Sequence, residues 1–438
     1  MNRLVRHVAI AIFLLFTSRC CAENWAQFRG PAFNGSSPEK NLPADWSTTA
    51  NVAWAADLPG GSGSTPVVWN DHVFISTIDS AKDTLCAMAY DRTTGQLRWR
   101  HDVAKGVRQD SRSNYASPTP VTDGELVVFF YGNGDLAAYN FAGQELWSRN
   151  LEKDYGPFAF QWTFSSSPVL YAGRLYMQVL QRDVPANGRG LAERPNESYL
   201  LALDPQTGKT LFRHIRPSQA VQESRESFAT PLPFQTHGRE ELVLIGGDDI
   251  TGHDLATGRE LWRWGTWNPE RIGHWRHVPS PVAGDDILLV CAPKGDPIYA
   301  IKAGGKGELG EADVAWVSRE NKVISADVPT PAFYDGDFFI LNEGRKMLSR
   351  VEPQTGKVRW SVRTPGTDKF EASPLVADGK IYLINFVSNV VIFDAATGKL
   401  LKQIPMDEPH DEACRSSIVA SQGQLFIKTP TKLFCVGK

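Results

Sequence analysis

From about residue 50 onward, short apolar runs alternate with tight polar turns. Runs such as Leu126-Val127-Val128-Phe129-Phe130 and Ile381-Tyr382-Leu383-Ile384 are continuous and bounded by turn residues. Their shortness and their aromatic and β-branched content predict strands buried on both faces. Long Ala/Glu/Lys/Leu stretches are missing, so the pattern predicts an all-β chain.

The runs recur in a fixed order. Ser or Thr followed by Pro opens each unit, at Thr65-Pro66, Ser117-Pro118, Ser167-Pro168, Thr230-Pro231, Ser280-Pro281, Thr330-Pro331 and Ser373-Pro374. A degenerate eighth copy starts at Ser416-Ser417. Successive prolines lie 43 to 63 residues apart, a period that suits one four-stranded propeller blade. A strand follows the proline, then a turn such as Asp123-Gly124 or Asp378-Gly379. Gly, Asn and Asp tolerate the left-handed backbone that tight hairpins need.

Each unit closes on a second signature. Ala89-Tyr90-Asp91-Arg92-Thr93-Thr94-Gly95 precedes Trp99, Ala202-Leu203-Asp204-Pro205-Gln206-Thr207-Gly208 precedes Phe212, and Asp254 to Gly258 precedes Trp262. Asp and Thr can bond backbone amides within such a turn, and Gly can take the positive φ that closes it. The aromatic four residues later is predicted to wedge between blades. A calcium loop is the rival reading of Asp-x-x-x-Gly, but one acid per turn supplies too few oxygens.

Trp54 lies in Val52-Ala53-Trp54-Ala55-Ala56 with no turn ahead of it, like a last strand lacking its first three. Residues 416–436 have the complementary defect. One blade built from both termini closes the ring and removes its free edges. The fold class is therefore an all-β, eight-bladed β-propeller, with wedge positions at 54, 99, 147, 212, 262, 316, 360 and 402. Seven blades is the alternative if the insertion breaks the Pro281 unit.

The N-terminus changes the picture of where the chain works. Arg3 and Arg6 precede an apolar run from Val8 to Phe16, with Cys20 and Ala22 before a cut at Glu23. This reads as a signal peptide over residues 1–22, because the run is too short for a bilayer core of ~30 Å. Residues 23–438 then form a single exported domain, periplasmic or extracellular, with no transmembrane segment. Losing Arg3, Arg6 and Arg19 and no acid takes the formal net charge from −3 to −6. No basic stripe for nucleic acid remains. Of six cysteines, Cys86, Cys291, Cys414 and Cys435 stay, far apart in sequence and expected as free thiols.

The Ala-x-Asp-x-x-Thr-Gly-x-x-x-Trp pattern resembles the repeat of the pyrroloquinoline-quinone (PQQ)-like propellers. These include quinoprotein dehydrogenases and the BamB-type scaffold of outer-membrane assembly. Trp25-Ala26-Gln27-Phe28-Arg29-Gly30-Pro31 and Gly304-Gly305-Lys306-Gly307 look like exported bacterial proteins of that group. The resemblance spans the mature chain and is specific for fold, weak for activity. A quinone dehydrogenase would need PQQ, calcium, a carboxylate base and an adjacent Cys pair. The only adjacent pair, Cys20-Cys21, leaves with the signal.

The loops leading into each blade carry polar groups that propeller symmetry gathers on one face. Arg112, Asn114, Trp162, Arg225, Glu226, His277, Asp327, Glu371 and Arg415 are the candidate ligand site. His274, Trp275, Arg276, Lys369, His410, Asp411 and Glu412 belong to the same loops. Salt bridges between blades are the competing role for these residues. His274 and His277 lack a clear third metal ligand, and no catalytic motif appears. The sequence favours a non-catalytic binding or scaffold module, monomeric, with no cofactor. Its partner would be a protein or polar small molecule of the cell envelope. The polar insertion Gln181 to Glu197 is either a partner loop or a mobile one.

Overall fold

The computed structural model describes residues 23–265, 267–406 and 412–437. The expected signal peptide, His410 and Asp411 lie outside them. Eight antiparallel sheets of four strands make up the fold, two of them carrying a fifth strand. Blades 1 to 8 begin with Val67–Trp69, Val121–Thr122, Val169–Tyr171, Leu232–Thr236, Val282–Gly284, Ala332–Tyr334, Leu375–Ala377 and Val419–Ser421. First strands of neighbouring blades touch, which places them around the axis. Second strands such as Leu126–Phe130 are buried at every residue, because blades cover both their faces. Helix is confined to Leu151–Tyr155 and three short 3₁₀ turns among the described residues.

Both chain ends build blade 8. Val52–Asp57 pairs antiparallel with Lys432–Val436, and Trp54 sits opposite Cys435. The unit at Pro281 is intact as blade 5, so the ring has eight blades. Its insertion instead reaches back, and Gly307–Glu308 runs parallel to Glu260–Trp264 as a fifth strand of blade 4.

The repeat signature does what its chemistry predicts. Asp91 Oδ1 accepts the backbone N–H groups of Thr93 and Thr94 and the Thr94 hydroxyl. Asp204, Asp254 and Asp394 accept the matching threonine contacts in blades 3, 4 and 7. Trp54, Trp99, Trp147, Phe212, Trp316 and Trp360 each pack on the turn glycine of the next blade. The indole N–H groups of Trp54, Trp99, Trp147 and Trp316 donate to carbonyls in that same turn, at 2.6 to 3.0 Å. Gly208 has φ +67°, and a Cβ there would lie 2.6 Å from Trp147.

The wedge positions are not all alike. Trp99, Trp147 and Trp360 are mostly but not fully buried, because they sit on the outer strand of each blade. Trp262 is fully buried, and its N–H turns back to Glu241 of its own blade at 3.0 Å. At Lys402 the ammonium pairs with Asp45, and Trp46 fills the adjoining core instead, donating to Met406 Sδ. Cys86, Cys291, Cys414 and Cys435 are buried, and none of them is in a disulfide.

Candidate ligand well

Residues 25–37 cross the ends of the first strands away from the leading loops. Trp25 bridges Val68, Ala26 O accepts Thr122 N–H, Asn34 O accepts Phe333 N–H, and Ser36–Ser37 pairs with Val376 and Ala377. This segment floors the axial channel and turns it into a well. Phe28 projects into it. The well has a cavity volume of about 160 Å³.

Arg29 anchors the floor. Its guanidinium is buried and donates to the carbonyls of Pro374 (3.0 Å) and Pro331 (2.8 Å). Among the described residues no carboxylate balances it, and burial lowers its pKa to about 9. It therefore remains a cation at neutral pH.

Above the floor lies a belt of hydroxyls that explains the Ser/Thr of the repeat. The backbone N–H of Thr65 donates to Thr119 Oγ1, Thr119 to Ser167, Ser167 to Thr230 and Thr230 to Ser280. Ser280 then donates to Thr330, Thr330 to Ser373 and Ser373 to Ser417. Every bond is 2.9 to 3.1 Å and joins one blade to the next. The chain stops at the joint of blades 8 and 1, where Thr65 Oγ1 is buried without a partner. There the Lys428 ammonium instead ties blade 8 to the oxygens of Ser62 and Ser64. The belt corrects the sequence reading of blade 2, whose opening pair is Thr119-Pro120 and not Ser117-Pro118.

One turn of side chains higher, the residue two before each belt position faces the axis. Gly63, Ser117, Ser165, Phe228, Val278, Val328, Glu371 and Arg415 all line the well. Blades 4 to 6 thus give it an apolar flank, and the remaining blades a polar one. Arg112, Trp162, Thr163 and Arg276 form the mouth. The Arg112 guanidinium lies over the Trp162 ring, 5.7 Å from its centroid. Trp162 Nε1 donates to Glu223 at 2.9 Å. Arg276 is 6% exposed, yet its nearest acid, Glu223, is 3.8 Å away. Arg415 pairs with Glu371 at 2.9 Å across a blade boundary, the structural use foreseen as the competing one.

Of the nine candidate residues, Arg112, Trp162, Glu371 and Arg415 meet at the well. The others point elsewhere. Asn114 turns inward to the Gly61 carbonyl (3.0 Å). Arg225 donates to Ser218 and Ala220 carbonyls and pairs with Asp183. His277 is buried against Trp267, and burial lowers its pKa to about 4. Asp327 accepts the Lys294 N–H (2.7 Å). Glu226 pairs with Arg182 and accepts the Gln161 N–H (3.0 Å), and burial raises its pKa to about 7.

The last group still shapes the mouth. Arg182 and Asn187, from the insertion, hold Gln161 through its side chain and carbonyl. Gln161 precedes Trp162, so the insertion and Glu226 position the Trp162 loop. The insertion is tied down further by Arg189, which binds Glu152 and Tyr115. Phe28, Phe228 and the hydroxyl belt escaped the sequence reading, although the recurring Ser/Thr was visible in it.

The fold family raises the question of quinone and calcium. Burial raises the Glu343 pKa to about 7, and the charges of nearby Asp327 and Glu371 add to it. Yet among the described residues no three His, Cys, Asp or Glu side chains gather as metal ligands. The lower well offers hydroxyls, and among the described residues no adjacent cysteine pair is present to stack on a ring. The donor set does not fit a calcium–quinone centre.

Known proteins place the chain. A polyvinylalcohol dehydrogenase of Pseudomonas sp. is 24% identical over 187 residues, 40% of this chain and 26% of that protein. The polyvinylalcohol dehydrogenase of Sphingopyxis sp. (strain 113P3) is 21% identical over 431 residues, covering 80% of this chain and 62% of that one. The chain thus spans less than two thirds of either relative. Among solved structures, the europium-containing methanol dehydrogenase superposes with TM-score 0.65 at 11% identity, covering 92% of this chain and 89% of that one. The quinohemoprotein alcohol dehydrogenase of Comamonas testosteroni gives 0.61 at 14%, covering 95% and 81%. BamB from Moraxella catarrhalis gives 0.57 at 12%, covering 88% and 97%. At such identities these likenesses speak for the fold alone. The family model described as "Outer membrane protein assembly factor BamB" matches residues 44–177 and 308–437, so the chain belongs to this family of PQQ-like propellers.

Proposed function

We propose that the chain is a non-catalytic recognition propeller that works outside the cytoplasm. Its binding site is the leading-face well, which receives a polar small molecule or a polar group of a protein partner. One observation carries this reading: the axial channel is floored by residues 25–37 and ringed at its mouth by Arg112, Trp162 and Arg276. A floored cavity with convergent donors and aromatic surface is built to hold something, not to pass it through. The BamB likeness supports a binding role. No helix among the described residues is long and apolar enough to cross a membrane.

Quinone-dependent oxidation is the second reading, motivated by the dehydrogenases among the relatives. Two measurements separate them. Purified chain is incubated with PQQ and calcium, then tested for a retained chromophore and for dye reduction. A stoichiometric chromophore with alcohol-dependent dye reduction would overturn the non-catalytic reading. In parallel, native mass spectrometry of chain recovered from cell envelopes should detect a bound species that the Trp162→Ala/Arg276→Ala variant lacks. Identical spectra for both proteins would remove the well as the site.

A further inference from the structure

The belt hydroxyls have an unused half. Thr119, Ser167, Thr230, Ser280, Thr330, Ser373 and Ser417 each accept a backbone N–H from the preceding blade. None of the seven has a protein acceptor for its own proton among the described residues. All seven line the well and are more than nine-tenths buried. A hydroxyl whose lone pair is occupied by an N–H is left as a donor. Here the backbone bonds orient seven donors around one axis. A buried donor needs an acceptor, so the axis must hold water or a group rich in acceptor oxygens.

Charge decides between these. The Arg29 guanidinium lies directly behind the belt, bonded to Pro331 and Pro374, the residues that follow Thr330 and Ser373. Among the described residues it has no carboxylate partner, and its buried Nε has no hydrogen-bond partner. Inward O–H dipoles and an unneutralised cation give the bottom of the well a positive potential, which low-dielectric walls strengthen. Phe28 below and Phe228, Val278 and Val328 on one flank are apolar.

Resting on the reading of the well as a binding site, we infer that its inner end is an oxyanion site for a small amphipathic anion. The head is a carboxylate, or a sulfate or phosphate monoester, seated on the hydroxyl belt. A short apolar body lies along Phe228, Val278 and Val328. The belt is thus both the fastener between blades and the recognition element.

Calorimetry on the full chain tests this with hexanoate, hexyl sulfate and hexanol as probes. Either anion should bind about tenfold or more tightly than hexanol, and the two anions show which head is preferred. Removing a belt hydroxyl would also strand a backbone N–H, so the decisive variants lie one level higher. Val278→Asp places a carboxylate over the belt and should weaken anion binding by about tenfold or more. Val278→Asn, of like size and neutral, should stay within about threefold of the parent. Hexanol binding as well as the anions, or unchanged anion binding by Val278→Asp, overturns the oxyanion site. So does the absence of binding by either anion at about 10 mM. If a species recovered from envelopes still depends on Trp162 and Arg276 in any of these cases, the well survives as a site and only its anion chemistry falls.

Discussion

Glu226 shows how a single buried carboxyl can be structural and costly at once. Its side chain has no exposure, and the partly exposed Arg182 cannot repay the loss of water. Burial raises its pKa from the ordinary 4.5 to about 7. Between those values the folded chain holds a proton that the unfolded chain has lost. The carboxyl therefore subtracts from stability progressively as pH rises through that window. Glu226→Gln removes the titration, though it also changes the contact with Arg182 by a constant amount. The stability of the parent relative to the variant should fall by about 1–3 kcal/mol from pH 4.5 to 7.5. A flat difference across denaturant titrations at those pH values would sink the assignment. Trp147 illustrates the opposite balance. Its indole donates to Pro205 O at 2.8 Å and covers the Gly208 turn, but one edge meets solvent. Trp147→Ala should cost about 2–3 kcal/mol, below the figure for a fully enclosed ring. No change in the urea midpoint would mean that the ring is not a wedge.

At the scale of the element, the belt bond is the unit that fastens one first strand to the next. Thr119 Oγ1 takes the N–H of Thr65, a residue only 1% exposed. Thr119→Val keeps the shape and strands that N–H, so stability should drop by about 1–3 kcal/mol. Thr119→Ser should restore most of it, and equal melting of both variants would show that the bond contributes nothing. The same strands explain what the sequence could and could not reveal. Turn chemistry is local, so Asp91, Thr94 and Gly95 announced their role directly. The phase of blade 2 was ambiguous, because Ser117-Pro118-Thr119-Pro120 offers two matches two residues apart. Only pairing with Thr65 and Ser167 selects the second. Side-chain direction was the harder problem. The approach to each belt residue is extended, so positions two and three residues before it face opposite ways. Glu371 and Arg415, two residues before, reach the well. His277, three residues before, turns into the blade, and Asp327 at the same phase turns to the Lys294 loop. Phe28 was unreadable as a site residue, since its place depends on a segment crossing blades more than 300 residues away in sequence.

For the whole molecule, closure matters more than any one blade. An open solenoid adds stability unit by unit, and its ends can fray independently. Here Val52–Asp57 completes a sheet whose other strands come from the C-terminus, so neither end is terminal. Leu58 N–H bonds to Thr431 O, and Gly437 N–H bonds to Asn51 O, bracketing the shared strand pair. Lys432–Val436 is the middle of this joint, with Val52–Asp57 on one side and Gln424–Lys428 on the other. It also contributes Leu433, Phe434, Cys435 and Val436 to the largest apolar cluster, which runs through blades 7, 8 and 1. A chain ending at Thr431 would expose both neighbouring strands as free edges and uncover that cluster. It should lose the cooperative near-ultraviolet transition of the parent and aggregate, and not merely melt a few degrees lower. A truncated chain that stays monomeric, with a sharp melt close to the parent's, would mean that the ring holds without its joint. The stability of the propeller would then reside in individual blades.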